Sequence, residues 1–236
     1  MFNSIKIQLG REGEIVEPDN IISREGIVVV LDALGMKRAL LEYSENDIFD
    51  RWKKTIEDFQ YEIMHRHNNQ FFRVFSDTII ITCYNNGQDP KNLIDSLGTI
   101  LINNIINGIK NKIFFRGTLT YGTYSESARL VLGDAINRSA ACHEKTNWVG
   151  ISLFPHTNYY ENNMNTNSFV RYNIPYKNEF HYLKNGFALN WIKNTKSKEC
   201  YKILYDKYNQ YKETNYSQYY ENTINFYDTI YANLLS

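Results

Sequence analysis

One apolar run near the start of the chain predicts a central β-strand. Residues 26–31 read Gly-Ile-Val-Val-Val-Leu without a polar interruption, which is typical of a strand buried on both faces. Asp32 follows this run directly, and the Ala-Leu-Gly sequence after it indicates a turn into a helix. We expect this strand to lie in the middle of a sheet.

Apolar side chains spaced three and four residues apart predict a long helix after this strand, between about residues 37 and 64. Such a stripe is the mark of an amphipathic helix that packs one face against the rest of the fold. We therefore expect the helix to lie across the sheet. The stripe consists of Phe49, Trp52, Ile56, Phe59 and Ile63.

The next segment predicts a β-hairpin and then a second helix. Two short apolar runs, residues 71–75 and 78–84, are separated by only two residues, the second of which is Asp77. This is the pattern of a tight hairpin, and it places Asp77 at the tip. Asp89 and Pro90 then form a suitable cap and first turn for the second helix.

The rest of the chain predicts further strands and helices. Residues 113–122 read as a strand, and Gly133-Asp134 begins a third helix that ends near Lys145. One or two polar, tyrosine-rich helices are expected over residues 198–234. Additional strands are predicted at residues 149–154, 168–174 and 181–190.

This order of elements corresponds to an α+β fold, with a ferredoxin-like βαββαβ core, additional strands and C-terminal helices. We expect the helices to cover one face of the sheet. A length of 236 residues favours one compact unit. We assign residues 1–195 to the core domain and residues 196–236 to a helical extension that packs on the same domain.

Composition restricts the class of ligand and the cellular setting. Twenty-six Lys and Arg residues balance 26 Asp and Glu residues, so no net field favours nucleic acid or an anionic membrane. Any anionic ligand must therefore be held locally. The three cysteines are far apart and lack metal-ligand spacing, which argues against zinc and for reduced thiols. With no leader-like start and no bilayer-length apolar run, we expect a soluble, cytoplasmic protein.

Two aspartates carry the most informative chemistry. Asp32 ends a buried strand, and Asp77 lies on a hairpin that can pair beside that strand. Two such carboxylates can share a pair of divalent ions about 3.5–4 Å apart. The two ions then stabilise the attacking and the leaving oxygen of an in-line phosphoryl displacement. The loop after Asp32 would present backbone N–H groups to a triphosphate at a helix start. That loop consists of Ala33, Leu34, Gly35 and Met36.

Three short motifs together resemble the class III adenylate and guanylate cyclases, over roughly residues 25–155. Asp32-Ala-Leu-Gly-Met resembles their Asp-x-x-Gly-Phe first-metal motif, and Phe75-Ser-Asp77 resembles their hairpin Gly-Asp. Gly133-Asp-Ala-Ile-Asn137 resembles their Gly-Asp-x-Val-Asn segment. The resemblance implies that residues 1–195 are a catalytic domain, that Asn137 is catalytic, and that Asp32 and Asp77 bind two Mn²⁺ or Mg²⁺ ions. It also implies a homodimer with active sites at its interface.

The positions that read a purine base in these cyclases differ here. Four residues before the second aspartate, adenylate cyclases carry Lys and guanylate cyclases Glu, whereas this chain has Arg73. Leu130 stands where adenylate cyclases carry the Asp that reads adenine. Arg73 is suited to the carbonyl oxygens of a pyrimidine, because a guanidinium group is a fork of donors.

Several segments resemble one branch of this fold, the pyrimidine cyclases of bacterial Pycsar antiphage defence. They are residues 115–122, 133–135 and 147–151. The resemblance implies conversion of UTP, or less favourably CTP, to the 3′,5′-cyclic monophosphate and pyrophosphate. It also implies that a separate effector protein responds to the cyclic product during antiphage defence.

One departure concerns the cation that stabilises the transferring phosphoryl group. In the cyclases an Arg follows the catalytic Asn by four residues, but this chain has Ala141 there. Arg138 is the nearest replacement, although on a helix its side chain points about 100° away from Asn137. Arg116 and Lys145 are the other candidates.

Structural interpretations of the same residues remain open. Asp32 suits an N-cap, Asp77 suits a turn, and Arg73 suits a strand residue paired with a carboxylate. Asp134 and Asn137 suit helix caps. At the level of function, the alternatives are a catalytically silent cyclase-like module that binds a nucleotide or a protein, and a palm-type nucleotidyl transferase.

Overall fold

The computed structural model describes residues 21–36, 39, 43–66, 70–127, 130–154, 167–177 and 186–235. The central strand of its sheet is β1 (Ile22–Leu34). β1 pairs antiparallel with strands on both sides, β3 and β4. The predicted central position of residues 26–31 is therefore confirmed.

The strands of the described part of the chain form one eight-stranded sheet in the order β2-β3-β1-β4-β6-β8-β7, with β5 paired to β4. The predicted hairpin is formed by β2 and β3, which join through a tight turn. β4 and β6 run parallel, and the other neighbouring strands run antiparallel. The strand bounds after β1 are β2 (Gln70–Phe75), β3 (Thr78–Tyr84), β4 (Phe114–Glu126), β5 (Val131–Leu132), β6 (Gly150–Leu153), β7 (Phe169–Tyr172) and β8 (Gly186–Leu189).

The described helices agree with the predicted order of elements. Asp89 caps the second helix by accepting a 2.8 Å hydrogen bond from the backbone N–H of Lys91. None of the described helices is long and apolar enough to span a bilayer. The helix bounds are α1 (Glu45–Arg66), α2 (Pro90–Lys110), α3 (Asp134–His143), α4 (Ser197–Tyr211) and α5 (Ser217–Leu235), with a 3-10 turn at Trp191–Lys193.

Helices lie on both faces of the sheet, so the prediction of helices on one face is wrong. On one face, Ile27, Val29 and Leu31 join the core that contains α1 and α2. On the other, Val28 and Val30 form a second cluster with residues of α3. The reason is the apolar run of β1 itself, because a strand that is apolar at every position needs cover on both sides.

Some predicted boundaries also shift. Phe49 is 64% exposed and its neighbour Ile48 is buried, so the apolar stripe of α1 begins one residue earlier than predicted. The predicted start of this helix, near residue 37, falls among residues that are largely outside the described ranges. The predicted strand at 168–174 is shortened to β7, and residues 181–185 of the next one lie outside the described ranges.

The two C-terminal helices pack against the main core. Leu204 of α4 and Phe226 of α5 belong to the same hydrophobic cluster as β1 and α2. The Phe226 ring meets Trp148 edge to face, with centroids 5.1 Å apart. The Thr223 hydroxyl accepts a 2.8 Å hydrogen bond from the Val149 N–H. These contacts fix the direction in which the α4–α5 connection faces, although the domain boundary at residue 195 stays a prediction.

Candidate active site

The sheet brings Asp32 and Asp77 to one cavity of about 240 Å³. Asp32 lies opposite Thr78 in the β1–β3 pair, and Asp77 is the preceding residue of the hairpin turn. The backbone N–H of Ala33 donates to the Asp77 carbonyl oxygen at 3.0 Å, which joins the strand end to the turn. The cavity is lined by Asp32, Ala33, Leu34, Gly35, Met36, Asp77, Arg116, Tyr216, Tyr219 and Tyr220.

The predicted phosphate loop begins where β1 ends. Gly35 has a φ of 74°, in the left-handed region that favours glycine. Its carbonyl oxygen accepts a 2.8 Å hydrogen bond from the Ala39 N–H, as in the first turn of a helix. The sharp change of direction at Gly35 therefore brings the loop backbone beside the two carboxylates.

Arg116 of β4 forms an ion pair with Asp32 through one carboxylate oxygen. Its Nε and Nη2 both donate to Oδ2, at 3.0 and 2.9 Å. The two side chains are only 14% and 18% exposed, so the pair is partly shielded from water. Nη1 also donates to the Glu144 carbonyl oxygen at 3.4 Å. Arg116 thus supplies a permanent positive charge inside the cavity, next to the strand-end carboxylate.

Asp32 and Asp77 are the acidic side chains among the described residues that line the cavity. Among the described residues there is no group of three or more His, Cys, Asp or Glu side chains that could hold a metal. Asp77 is half-buried, and its carboxylate makes no hydrogen bond or ion pair with the described residues. Mg²⁺ typically binds to one or two carboxylates and takes its other ligands from water and substrate phosphates. Asp32 and Asp77 fit that pattern.

Arg73 lies outside this cavity lining, in a charge network on β2, β3 and β4. Its Nη2 donates to Glu126 Oε2 at 3.3 Å and to the Ser127 carbonyl oxygen at 2.6 Å. Glu126 is only 2% exposed and also contacts Arg24 at 2.9 Å. The Thr82 hydroxyl donates to the same carboxylate at 2.6 Å. Arg73 thus has the carboxylate partner expected of a structural strand residue, and its contact with a base stays a prediction.

Asn137 and Arg138 lie on α3, and neither lines the cavity. Asn137 is exposed. Arg138 binds Asp134 one turn earlier, with Nε 2.9 Å from Oδ1 and Nη2 2.8 Å from Oδ2. Gly133 is the N-cap residue, without a side-chain capping bond. Asp134 is the first residue of α3 and Asn137 lies within the helix, so the interpretation of these two residues as N-caps is wrong.

Three tyrosines at the start of α5 and just before it are the cavity residues that sequence reasoning missed. Tyr216, Tyr219 and Tyr220 come from the α4–α5 connection and the first turn of α5, yet they line the carboxylate cavity. Lys177 donates to the Glu144 carbonyl oxygen at 2.9 Å, the same oxygen that Arg116 approaches. No local pattern marks these residues, because tyrosine is abundant throughout the chain.

A buried histidine near the site predicts acid sensitivity. His143 is 7% exposed, and burial lowers its pKa more than the Asp32 carboxylate raises it. The folded state thus favours neutral imidazole, while the unfolded chain takes up a proton near pH 6.5. The free energy of unfolding should therefore fall as the pH drops below about 6.5, by up to about 1.4 kcal/mol per pH unit. Urea unfolding of wild type and His143→Gln between pH 7.5 and 5 tests this, and equal pH slopes would contradict it.

Comparisons with solved structures identify the fold. The adenylyl cyclase CyaB from P. aeruginosa matches with a TM-score of 0.50 and 9% identity, over 57% of this chain and 78% of that one. The guanylate cyclase domain of RhGC from Catenaria anguillulae, solved with GTP, has a TM-score of 0.49 and 14% identity, over 71% and 96%. No protein-family model and no curated protein matches the chain. The likeness to CyaB confirms the predicted cyclase-like α+β fold, and the finer resemblance to pyrimidine cyclases stays a prediction.

Proposed function

We propose that this chain is a metal-dependent nucleotide cyclase that converts UTP, or less favourably CTP, to the 3′,5′-cyclic monophosphate and pyrophosphate. The observation that supports it most is the meeting of Asp32, Asp77, the Gly35 loop and Arg116 in one cavity, on a fold shared with an adenylyl cyclase. Carboxylates for divalent ions and a cation for phosphoryl oxygens are what such a displacement requires.

In this reaction the ribose 3′ oxygen forms a bond to the α-phosphorus. The bond from that phosphorus to the oxygen bridging to the β-phosphate breaks, pyrophosphate leaves with the bridging oxygen, and the hydroxyl proton passes to water. Asp32 and Asp77 would hold Mn²⁺ or Mg²⁺. Bound divalent ions supply Lewis-acid stabilisation of the phosphoryl oxygens and acidify the hydroxyl. The loop at Gly35 would cradle the phosphates, and Arg116 would neutralise charge on them.

The proposal includes a homodimer with shared active sites. Asn137 is exposed on α3 and does not line the carboxylate cavity of its own chain, which suits a residue supplied to the site of a second copy. In a symmetric dimer the two chains would exchange this contribution reciprocally. By the resemblance to Pycsar cyclases, the product would act in the cytoplasm on a separate effector protein during antiphage defence.

A catalytically silent nucleotide-binding module is the second candidate. It is favoured by Ala141, which stands in place of the usual transition-state arginine, and by the ion pair that already occupies Asp32. Incubation of the purified protein with UTP and Mn²⁺, followed by mass spectrometry of the products, separates the candidates. Cyclic UMP supports the cyclase, a dinucleotide indicates a nucleotidyl transferase, and bound but unchanged UTP indicates the silent module.

Arg116 is the arginine that we expect to stabilise the transferring phosphoryl group. It lines the cavity, whereas Arg138 is paired with Asp134 on α3. Arg116→Ala should lower turnover with saturating UTP and Mn²⁺ by about 10²–10³, the usual cost of removing such a donor. Arg138→Ala, which removes the same charge elsewhere, is the matched comparison. Near-normal turnover in both variants would show that the cation lies elsewhere or is not required.

Arg73 is proposed to contact the base, so its removal should change substrate choice. Arg73→Ala should reduce the preference for UTP over the other nucleoside triphosphates, measured as the ratio of kcat/KM values. Glu126 keeps Arg24 as a partner in this variant, which limits the cost to stability. A purely structural role would lower the melting temperature and leave the ratio unchanged. Arg73→Lys keeps the charge without the fork and is the control for hydrogen-bond geometry.

A further inference from the structure

A second, smaller pocket adjoins the carboxylate cavity on the side of the C-terminal helices. Its volume is about 40 Å³, and it shares Leu34, Gly35, Tyr216 and Tyr220 with the larger cavity. A water molecule needs only about 10–15 Å³ measured in this way, so the pocket has room for a larger group. The shared wall means that a ligand on the Gly35 loop lies beside both spaces.

The chemistry of this pocket is cationic. It is lined by Lys112, which follows α2, and by Lys207 of α4, and no Asp or Glu is among the described residues that line it. We call it the lysine pocket, after these two residues. The Lys112 side chain is exposed and Lys207 is 8% exposed. Two lysine side chains from distant parts of the chain therefore line one small space.

The position of Lys207 is fixed by its contacts. Its Nζ donates to Gln210 Oε1 at 2.8 Å and lies 3.5 Å from the Tyr211 hydroxyl. It also stands 5.7 Å from the centre of the Tyr43 ring. These contacts hold the Lys207 ammonium group in one position at the pocket wall. The ammonium group of an exposed lysine, by contrast, moves freely in solvent.

Tyr43 also lines the lysine pocket, and cations near it shift the pKa of its hydroxyl. Burial raises the pKa of its hydroxyl, but a hydrogen bond with Arg51 and the charges of Lys207 and Lys112 outweigh burial and lower it. The Arg51 guanidinium also lies over the Tyr43 ring at 4.3 Å. Three cations from three segments therefore make this region favourable for negative charge.

We infer that the lysine pocket binds a phosphate-type oxyanion through Lys112 and Lys207. Lysine ammonium groups bind phosphate as point charges and do not require bidentate geometry. The oxyanion has two sources, the terminal phosphate of the nucleotide in the adjoining cavity or a separate phosphoanion such as pyrophosphate. The first source rests on the proposed function. Either one gives the C-terminal helices a binding role, since α4 supplies Lys207.

Calorimetric titration with inorganic tripolyphosphate tests the pocket without a base, a sugar or turnover. EDTA is present throughout, so that metal bound at Asp32 and Asp77 contributes nothing. Wild type should bind tripolyphosphate, while Lys112→Gln and Lys207→Gln should each weaken this binding about tenfold or more. Lys202→Gln removes the same charge from an exposed position of α4 and should bind as wild type does.

Several results would overturn the inference. They are absence of binding to wild type, undiminished binding by both pocket variants, and an equal loss in Lys202→Gln, which would indicate a diffuse charge effect. Thermal melting shows whether Lys207→Gln is folded. If it is not, Lys112→Gln decides alone, because this exposed side chain can be replaced without disturbing the core.

Competition between ligands then identifies the source of the oxyanion. If the pocket holds the end of the nucleotide, Lys112→Gln weakens binding of a methylene-bridged UTP analogue but not of UMP, and tripolyphosphate displaces the analogue. If the pocket is a separate site, both ligands bind together.

Tripolyphosphate binding without any cyclic product would disprove the proposed function and leave the inference about the lysine pocket intact. Formation of a cyclic product without lysine-dependent binding would support the proposed function and disprove the inference about the lysine pocket.

Discussion

Asp77→Asn should lower the rate of cyclic nucleotide formation by at least about 10³ while leaving the fold intact. Loss of a metal-binding carboxylate removes several kcal/mol of transition-state stabilisation, and each 1.36 kcal/mol corresponds to about a factor of ten in rate. No hydrogen bond or ion pair joins the Asp77 carboxylate to the described residues, so the amide would break none. Pyrophosphate release with saturating UTP and Mn²⁺ measures the rate, and thermal melting measures the stability.

Replacement of Asp77 tests the proposed metal site more cleanly than replacement of Asp32 does. Replacing Asp32 also leaves Arg116 without its carboxylate, so activity and stability would change together. Asp50→Asn, the same change at an exposed position of α1, is the control and should retain full activity. An Asp77→Asn protein that turns over within tenfold of wild type would show that Asp77 binds no essential metal.

Two inactive variants should restore each other if the active sites are shared between subunits. Asp77→Asn and Asn137→Ala homodimers are each expected to have both sites damaged. In a mixed dimer, both defects fall in one site and leave the other intact. Activity should then rise from below about a thousandth of wild type to roughly half in each heterodimer, a gain of over a hundredfold.

Differently tagged chains, purified in two steps after coexpression, give verified heterodimers for this experiment. The Asp77→Asn, Asn137→Ala double variant paired with wild type is the matched control, because it carries one defect in each site and should be inactive. Heterodimers of the single variants that stay inactive would exclude shared sites and place Asn137 outside the catalytic machinery.

The predictable parts of the fold were those set by short-range patterns. The unbroken apolar run of β1 identified the central strand, and the spacing of two such runs around Asp77 identified the hairpin. Since a hairpin pairs with its neighbour through a fixed register, the approach of Asp77 to Asp32 followed from these two elements. The Gly35 turn was likewise indicated by its position between a strand and a helix.

The parts that failed depend on contacts between distant segments. Nothing local in α4 or α5 shows that their connection faces the carboxylates, because that orientation is set by packing of residues such as Phe226 on Trp148. The partner of Arg73 was also hidden, since Glu126 lies 53 residues away along the chain. The apolar positions on both faces of β1 require cover on both sides, and α3 supplies that cover on the face opposite α1 and α2.

Reaction of the protein with all four nucleoside triphosphates at equal concentration in one Mn²⁺ reaction tests the central claim most directly. Mass spectrometry of the products, with Asp77→Asn as the blank, identifies which cyclic nucleotides form. A 3′,5′-cyclic pyrimidine monophosphate, cyclic UMP in excess of cyclic CMP, with an equal amount of pyrophosphate, is the predicted result. A purine product alone would contradict the substrate assignment, and the absence of any cyclic nucleotide above the blank would contradict the proposed function itself.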